Sequence, residues 1–89
     1  PAFDIVYSLQ NLGAIVSYLD PHVPRLDEAG IQMESVPADV CFADYDAVVI
    51  VTDHKNIDYA RLLREALIVV DTRDALRHVE GDQSKVVKL

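Results

Sequence analysis

The chain has 89 residues, enough for one small domain and too few for a second. Hydrophobic residues make up 51% and charged residues 26%, which is a globular composition and excludes a disordered chain. The formal net charge of −7, without any run of Lys and Arg, opposes binding to nucleic acid or to an anionic membrane surface.

The cysteine content and the termini bear on the compartment. A single cysteine, Cys41, cannot form an internal disulfide, which fits a reducing environment. No apolar run approaches the ~20 residues that span a bilayer, and the N-terminus has no signal-peptide pattern. We therefore expect a soluble, cytoplasmic protein. Because the chain begins at Pro1 without a methionine, we also expect it to be a piece of a longer protein.

The first element is a helix that begins near Pro1. Ile5, Leu9 and Leu12 recur at helical spacing, and Gly13 is suited to end the helix. These residues predict one amphipathic helix.

Residues 14–43 contain short candidate strands and a candidate helix, separated by loops. The apolar run 14–19 predicts a strand that ends at Asp20, and a loop is expected to continue to about Gly30. Residues 32–36 are a candidate edge strand, and 37–43 are typical of a short helix.

The second half carries the strongest patterns. The uninterrupted apolar run 47–51 predicts a central strand buried on both faces, and 67–70 predict a second buried strand. Asp58 is a good N-cap for the helix between them, whose apolar face is Tyr59, Leu62, Leu63 and Ala66. At the C-terminus, 79–89 leave open a short terminal strand or a frayed tail.

The alternation of helices and strands indicates an α/β fold: a Rossmann-like, three-layer domain over 1–89 with a mainly parallel sheet. Doubly wound sheets usually open with a strand, so we expect the first strand to be missing from this sequence. If that strand belongs between 14–19 and 47–51, its absence leaves unpaired backbone edges. We therefore predict a homo-oligomer, detectable by light scattering.

Polar residues follow both buried strands of the second half. They are Thr52, Asp53, His54, Asp71, Thr72 and Arg73. In an open α/β sheet, ligands bind beyond the carboxyl ends of the parallel strands. Any buried strand must also end in polar residues, so position alone does not separate a binding site from ordinary solvation.

Arg73 has the most suggestive chemistry of the six. A guanidinium directly beyond a buried strand faces the mouth of the sheet and can hold phosphate or sugar oxygens in a forked geometry. The competing interpretation is a surface salt bridge with Asp71 or Asp74.

Other kinds of site find less support. The three glycines, at 13, 30 and 81, form no glycine-rich phosphate loop, and the histidines at 22, 54 and 78 have no metal-ligand spacing. Cys41 lies among apolar neighbours, which favours a buried, inert thiol over a catalytic one. Asp20 could hold a ribose hydroxyl, but as part of an Asp-Pro turn it needs no ligand. Arg61 and Arg64 are most simply a solvated helix face with Glu65.

Five motifs occur in an order that resembles a known family. They are Pro1-Ala-Phe-Asp-Ile5, Leu12-Gly13-Ala14, Tyr18-Leu-Asp-Pro-His-Val-Pro24, Ala47-Val-Val-Ile-Val-Thr-Asp-His54 and Val69-Val-Asp-Thr-Arg73. The chain resembles the C-terminal, UDP-binding domain of the UDP-glucose/GDP-mannose dehydrogenase family.

This resemblance implies an NAD-dependent enzyme of polysaccharide biosynthesis that oxidises the C6 alcohol of a nucleotide sugar to a carboxylate in two steps. The NAD-binding N-terminal domain, the central helical domain and the catalytic cysteine of such an enzyme have no counterpart here. We therefore expect no catalytic residue, no metal and no bound cofactor in this chain alone. Arg73 maps onto the family's substrate contact. The Thr-Asp-His and Asp-Thr-Arg motifs are similar to those of enzymes acting on UDP-N-acetylglucosamine or UDP-N-acetylmannosamine.

Two other functions remain open from the residues. One is a non-catalytic α/β interaction or oligomerisation domain that docks through an exposed sheet edge. The other, dinucleotide binding by this domain alone, lacks its glycine loop.

Overall fold

The protein is described by a computed structural model that covers residues 2–28 and 30–89. It has an α/β fold with two helices, an antiparallel hairpin and a parallel three-stranded sheet. In chain order the elements are α1 (Ala2–Asn11), β1 (Arg25–Glu28), β2 (Ile31–Glu34), β3 (Val48–Ile50), α2 (Tyr59–Glu65), β4 (Val69–Asp71) and β5 (Val86–Lys88). Two 3-10 helices cover Phe42–Asp44 and Gln83–Lys85. The chain divides into two compact units, Pro1–Val40 and Cys41–Leu89.

Helix α1 of the first unit ends as the sequence predicts. Gly13 has a φ of +94°, a conformation that glycine adopts without the penalty of a Cβ atom. Gly13 donates its N–H to the Gln10 carbonyl at 3.0 Å, and Ala14 donates to the Leu9 carbonyl at 3.0 Å. This pair of bonds is the Schellman motif, which satisfies two of the last carbonyls of the helix.

The strand predicted over 14–19 is wrong. These residues belong to no sheet, and the Ile15 side chain is fully exposed. A β-strand needs a neighbouring strand for its backbone groups, and the bond from the Val36 N–H to the Tyr18 carbonyl at 2.8 Å is not continued into a ladder of such bonds. Although the run is apolar, it forms no β-ladder with any of the described residues.

The loop expected up to Gly30 contains a strand instead. Strand β1 pairs antiparallel with β2, so that Leu26 faces Met33 and Glu28 faces Ile31. Gly30, with a φ of +84°, lies in the short connection between them. Three of the four β1 residues are charged, so no apolar alternation marked the strand. The edge strand expected over 32–36 is present, shifted to Ile31–Glu34.

The helix predicted over 37–43 is also wrong. Val40 donates to the Pro37 carbonyl at 3.1 Å, which closes a turn. Cys41 then adopts an extended conformation, with φ −82° and ψ 110°. The helical segment is limited to Phe42–Asp44, because the extended residue interrupts the helical backbone.

The parallel sheet of the second unit has the order β3-β4-β5. Strand β4 lies in the middle, whereas the sequence had placed the 47–51 strand there. Burial on both faces is likewise wrong for this strand, since Val49 is 39% exposed while Ile50 is buried. In the 67–70 run the residues before Val69 are exposed and the strand itself is shifted to Val69–Asp71. Strand β5 lies within the stretch 79–89.

Helix α2 begins and packs as its sequence predicts. The Asp58 carboxylate accepts a hydrogen bond from the Arg61 N–H at 3.0 Å, which is an N-cap. The inward face of the helix packs into the core of this unit with Leu62, Leu63 and the C-cap Ala66. The buried apolar residues of the unit are Phe42, Ile50, Leu62, Leu63, Ala66, Val69 and Leu76.

Candidate functional site

The carboxyl ends of β3 and β4 lie side by side in the sheet. Ile50 and Asp71 are register partners. Directly beyond them, Thr72 donates both its backbone N–H, at 3.2 Å, and its hydroxyl, at 2.6 Å, to the Ile50 carbonyl. The structure thus brings the two groups of polar residues predicted from the sequence to the same edge of the sheet.

Asp71 organises the turn that follows β4. Its side chain is 1% exposed and accepts hydrogen bonds from the backbone N–H groups of Arg73 (3.1 Å), Ala75 (3.1 Å) and Leu76 (3.0 Å). Burial acts to raise the pKa of Asp71, but these donors and the N–H of Asp74 outweigh it, so the pKa lies below its ordinary value of 3.8. Asp71 is therefore a structural anion whose oxygens are directed to the backbone rather than to a ligand.

Arg73 is exposed at the start of this turn, and its backbone is fixed by the bond to Asp71. The competing salt bridges do not form. Asp71 is engaged by the backbone, and Asp74 faces Lys88 at 3.4 Å and Arg77 at 3.8 Å. Within residues 2–28 and 30–89, no acceptor pairs with the Arg73 guanidinium.

Tyr59, which the sequence indicated as part of the apolar face of α2, also reaches this edge. Its hydroxyl accepts a hydrogen bond from the His54 N–H at 2.9 Å, five residues back along the chain. Burial raises the pKa of Tyr59 above its ordinary value of 10.0. The charge of Asp53, its role as a hydrogen-bond acceptor and the charge of Asp71 raise this pKa as well, whereas the hydrogen bond from His54 lowers it. The phenol therefore lies between the residues that follow β3 and those that end β4. In the sequence, the position of Tyr59 directly after the N-cap Asp58 was the signal for this contact, whereas helical spacing assigned Tyr59 only to the apolar face.

The remaining candidates lie away from this edge or have structural roles. Asp20 accepts a hydrogen bond from the His22 N–H at 2.8 Å, which confirms the turn-forming interpretation. Cys41 is exposed, so the prediction of a buried thiol is wrong. The apolar neighbours of Cys41 suggested a buried side chain, but the structure buries Phe42 and leaves Cys41 exposed. Among the described residues, no group of three or more His, Cys, Asp and Glu side chains is placed to hold a metal ion.

Of the solvated helix face expected for Arg61 and Arg64 with Glu65, Arg64 is exposed, whereas Arg61 and Glu65 form a packed contact. Arg61 lies over the Phe42 ring, with its Cζ 4.6 Å from the ring centroid, and pairs with Glu65 at 3.0 Å. Glu65 in turn accepts a hydrogen bond from the Phe42 N–H at 3.0 Å. That bond is the main reason for the lowered pKa of Glu65. The cluster of Arg61, Glu65 and Phe42 joins α2 to the segment before β3, so its role is to stabilise the fold.

An open parallel sheet with polar residues and an available guanidinium at its carboxyl edge is typical of a Rossmann-like domain, the kind of fold in which ligands bind at that edge. The comparison with protein families is more specific, because the model for the UDP binding domain of the UDP-glucose/GDP-mannose dehydrogenase family matches residues 1–78. The chain belongs to this family. It is a UDP-binding domain of nucleotide-sugar dehydrogenases, which are oxidoreductases. Comparison with curated proteins gives no match, and comparison with solved structures gives none either.

The length of the helices bears on whether they can span a membrane, in the part of the chain that the structure describes. Neither α1, with 10 residues, nor α2, with 7, is long and apolar enough to cross a bilayer.

Proposed function

We propose that this chain holds the nucleotide of a UDP-sugar in an NAD-dependent 6-dehydrogenase, with Arg73 as the contact to the diphosphate. The enzyme would oxidise a UDP-hexose or UDP-N-acetylhexosamine to its uronic acid. In this proposal the chain supplies binding and orientation, and other domains of the same enzyme supply the catalytic residues.

The observation that carries the proposal is the state of Arg73. Its backbone is fixed by the buried Asp71, and the Arg73 side chain is exposed beyond the central strand, without an acceptor for its guanidinium among the described residues. The nearest acidic alternative in sequence, Asp74, has Arg77 and Lys88 as its partners. A guanidinium on a fixed backbone is suited to bidentate binding of a phosphate.

NAD belongs elsewhere in this proposal, because the described residues do not fit a dinucleotide. A phosphate cradle needs glycines in the turn between a strand and the following helix. Here Gly13 ends α1, Gly30 lies in the hairpin, and Gly81 packs against Leu63. None of the three lies between β3 and α2, so no step through NAD is assigned to these residues.

The proposal is tested by titrating UDP and uridine calorimetrically into the wild-type chain and the Arg73→Ala variant. Loss of a charge-assisted, bidentate contact weakens UDP binding by about one to two decades, whereas uridine, which has no phosphate, binds both proteins alike. UDP-N-acetylglucosamine and UDP-glucose, titrated in parallel, test the preference for an N-acetylated sugar.

Arg77→Ala is the matched control, since it removes the same charge four residues further on from a side chain already paired with Asp74. It should change the dissociation constant for UDP by less than about twofold, as expected of a surface ion pair. An equal loss of UDP affinity in both arginine variants would show that the effect comes from net charge and would contradict a specific contact from Arg73. No binding of UDP by the wild-type chain would overturn the proposal.

A further inference from the structure

Two exposed side chains of opposite charge lie beyond the two strand ends of the site. Arg73 follows β4, while Asp53 is exposed in the segment that follows β3. Neighbouring strands of a sheet lie about 4.8 Å apart, so a ligand across this edge meets a cation beyond one strand and a carboxylate beyond the next. The register between Ile50 and Asp71 and the bonds from Thr72 to the Ile50 carbonyl fix this neighbourhood.

Tyr59 holds the acidic side of this pair in place. Its hydroxyl accepts the His54 N–H at 2.9 Å. The Asp53 carboxylate is close enough to raise the pKa of the phenol, both by its charge and as a hydrogen-bond acceptor. The backbone of the segment after β3 is therefore tied at His54 to the first residue of α2, whose N-terminus is itself capped by Asp58. A carboxylate accepts about four hydrogen bonds, so a neighbouring phenol leaves acceptor sites on Asp53 for a ligand.

The chemistry of a nucleoside diphosphate sets its direction across these two charges. The diphosphate is anionic, so it is attracted to Arg73 and repelled by Asp53. The ribose hydroxyls are hydrogen-bond donors, and an ionised carboxylate is purely an acceptor. The ligand therefore satisfies both strand ends when its phosphates lie at β4 and its ribose at β3.

We propose that Asp53 is the ribose acceptor of the nucleotide site and that Tyr59 is its positioning residue, which selects ribonucleotides over analogues without ribose hydroxyls. This inference rests on the proposed function, because it takes UDP as the ligand of Arg73. It adds a direction of binding and a source of specificity that Arg73 alone does not supply.

The test compares UDP with the dideoxy analogue of UDP that lacks both ribose hydroxyls. The wild-type chain is expected to bind UDP about 10-fold more tightly or better than the analogue, which is typical of a hydrogen bond to a charged group. Asp53→Ala should abolish this preference, and Tyr59→Phe should reduce it about threefold, since the carboxylate remains but its position is no longer held. Asp46→Ala is the control, since it removes an exposed carboxylate from the opposite end of β3 and should leave the preference unchanged.

The outcomes separate this inference from the proposed function. Arg73→Ala weakens both ligands but keeps the preference between them, because it acts on the phosphates. If UDP binding depends on Arg73 while Asp53→Ala keeps the wild-type preference, the ribose assignment is wrong and the proposed function stands. If the wild-type chain binds no UDP, both are overturned. Circular dichroism of each variant verifies folding, and Asp53→Ala alone decides if Tyr59→Phe does not fold.

Discussion

At the scale of single residues, the turn after β4 depends on one buried carboxylate. Asp71 accepts from the N–H groups of Arg73, Ala75 and Leu76, and thereby fixes the backbone from which the Arg73 guanidinium extends. The adjacent Asp74 tolerates a φ of +56°, a left-handed conformation that Asp and Asn adopt more readily than most residues. The buried Asp71 thus fixes the backbone position from which the exposed Arg73 side chain extends.

Asp71→Asn is expected to destabilise the chain strongly. One of the two acceptor oxygens becomes an NH₂ donor facing a backbone N–H, and the charge-assisted bonds are lost, at a cost of about 2 to 3 kcal/mol. Urea unfolding at neutral pH measures the effect. Asp74→Asn removes a neighbouring exposed charge and preserves the left-handed preference, so it should cost less than about 1 kcal/mol. Similar values for the two variants would contradict the role assigned to Asp71.

At the scale of elements, α2 is fixed at both ends by polar side chains that lie outside its apolar face. Asp58 caps its N-terminus, and Lys85 donates from Nζ to the carbonyls of Ala66, at 2.8 Å, and Arg64, at 3.3 Å, near its C-terminus. A helix of 7 residues is too short to be stable alone, so these caps and the packing of its apolar face hold it. The segment around Gly81, which precedes Lys85, is therefore part of the support of α2.

Gly81→Ala tests that support. Gly81 has a φ of +145°, and an added Cβ would lie 2.9 Å from Cδ2 of the fully buried Leu63. The substitution is expected to lower the free energy of unfolding by about 2 to 3 kcal/mol, through backbone strain and displacement of Leu63. Gly30→Ala imposes strain at a φ of +84° with nothing within 4 Å, so it should cost about 1 kcal/mol. Equal thermal shifts for the two variants would show that the contact with Leu63 contributes nothing.

At the scale of the whole molecule, carboxylates dominate the charge. The chain has 15 Asp and Glu residues against 8 Lys and Arg. The pKa values of Asp71 and Glu65 are lowered in the folded chain, each by hydrogen bonds from backbone N–H groups. The self-association predicted from the sequence stays a prediction, measurable by light scattering.

The lowered pKa values predict acid sensitivity with a defined sign. Their contribution to stability is fully present above the ordinary pKa values of 3.8 for Asp71 and 4.5 for Glu65, and it is lost as the pH falls through the lower values of the folded state. The urea midpoint should therefore hold above about pH 5 and fall steadily toward about pH 3. Asp71→Asn should flatten that fall, and an unchanged slope in this variant would contradict the assignment.

The local patterns of the sequence were sufficient for α1, α2 and the approximate positions of β3 and β4. Helical spacing, the cap at Asp58, the terminating Gly13 and the β-branched runs act over a few neighbouring residues, so they are readable without a structure. The same holds for the polar residues after each strand. The strand predicted over 14–19 was wrong because apolar composition does not provide a hydrogen-bonding partner.

By itself, the sequence determined the α/β class, the family motifs and the place of Arg73 directly after a buried strand. The tertiary structure decided the order β3-β4-β5, the hairpin of charged β1, the exposure of Cys41 and the reach of Tyr59 to His54. It also decided that Asp71 is directed to the backbone while Arg73 stays available. These features depend on partners outside the local pattern of each residue, and only the folded chain brings those partners together.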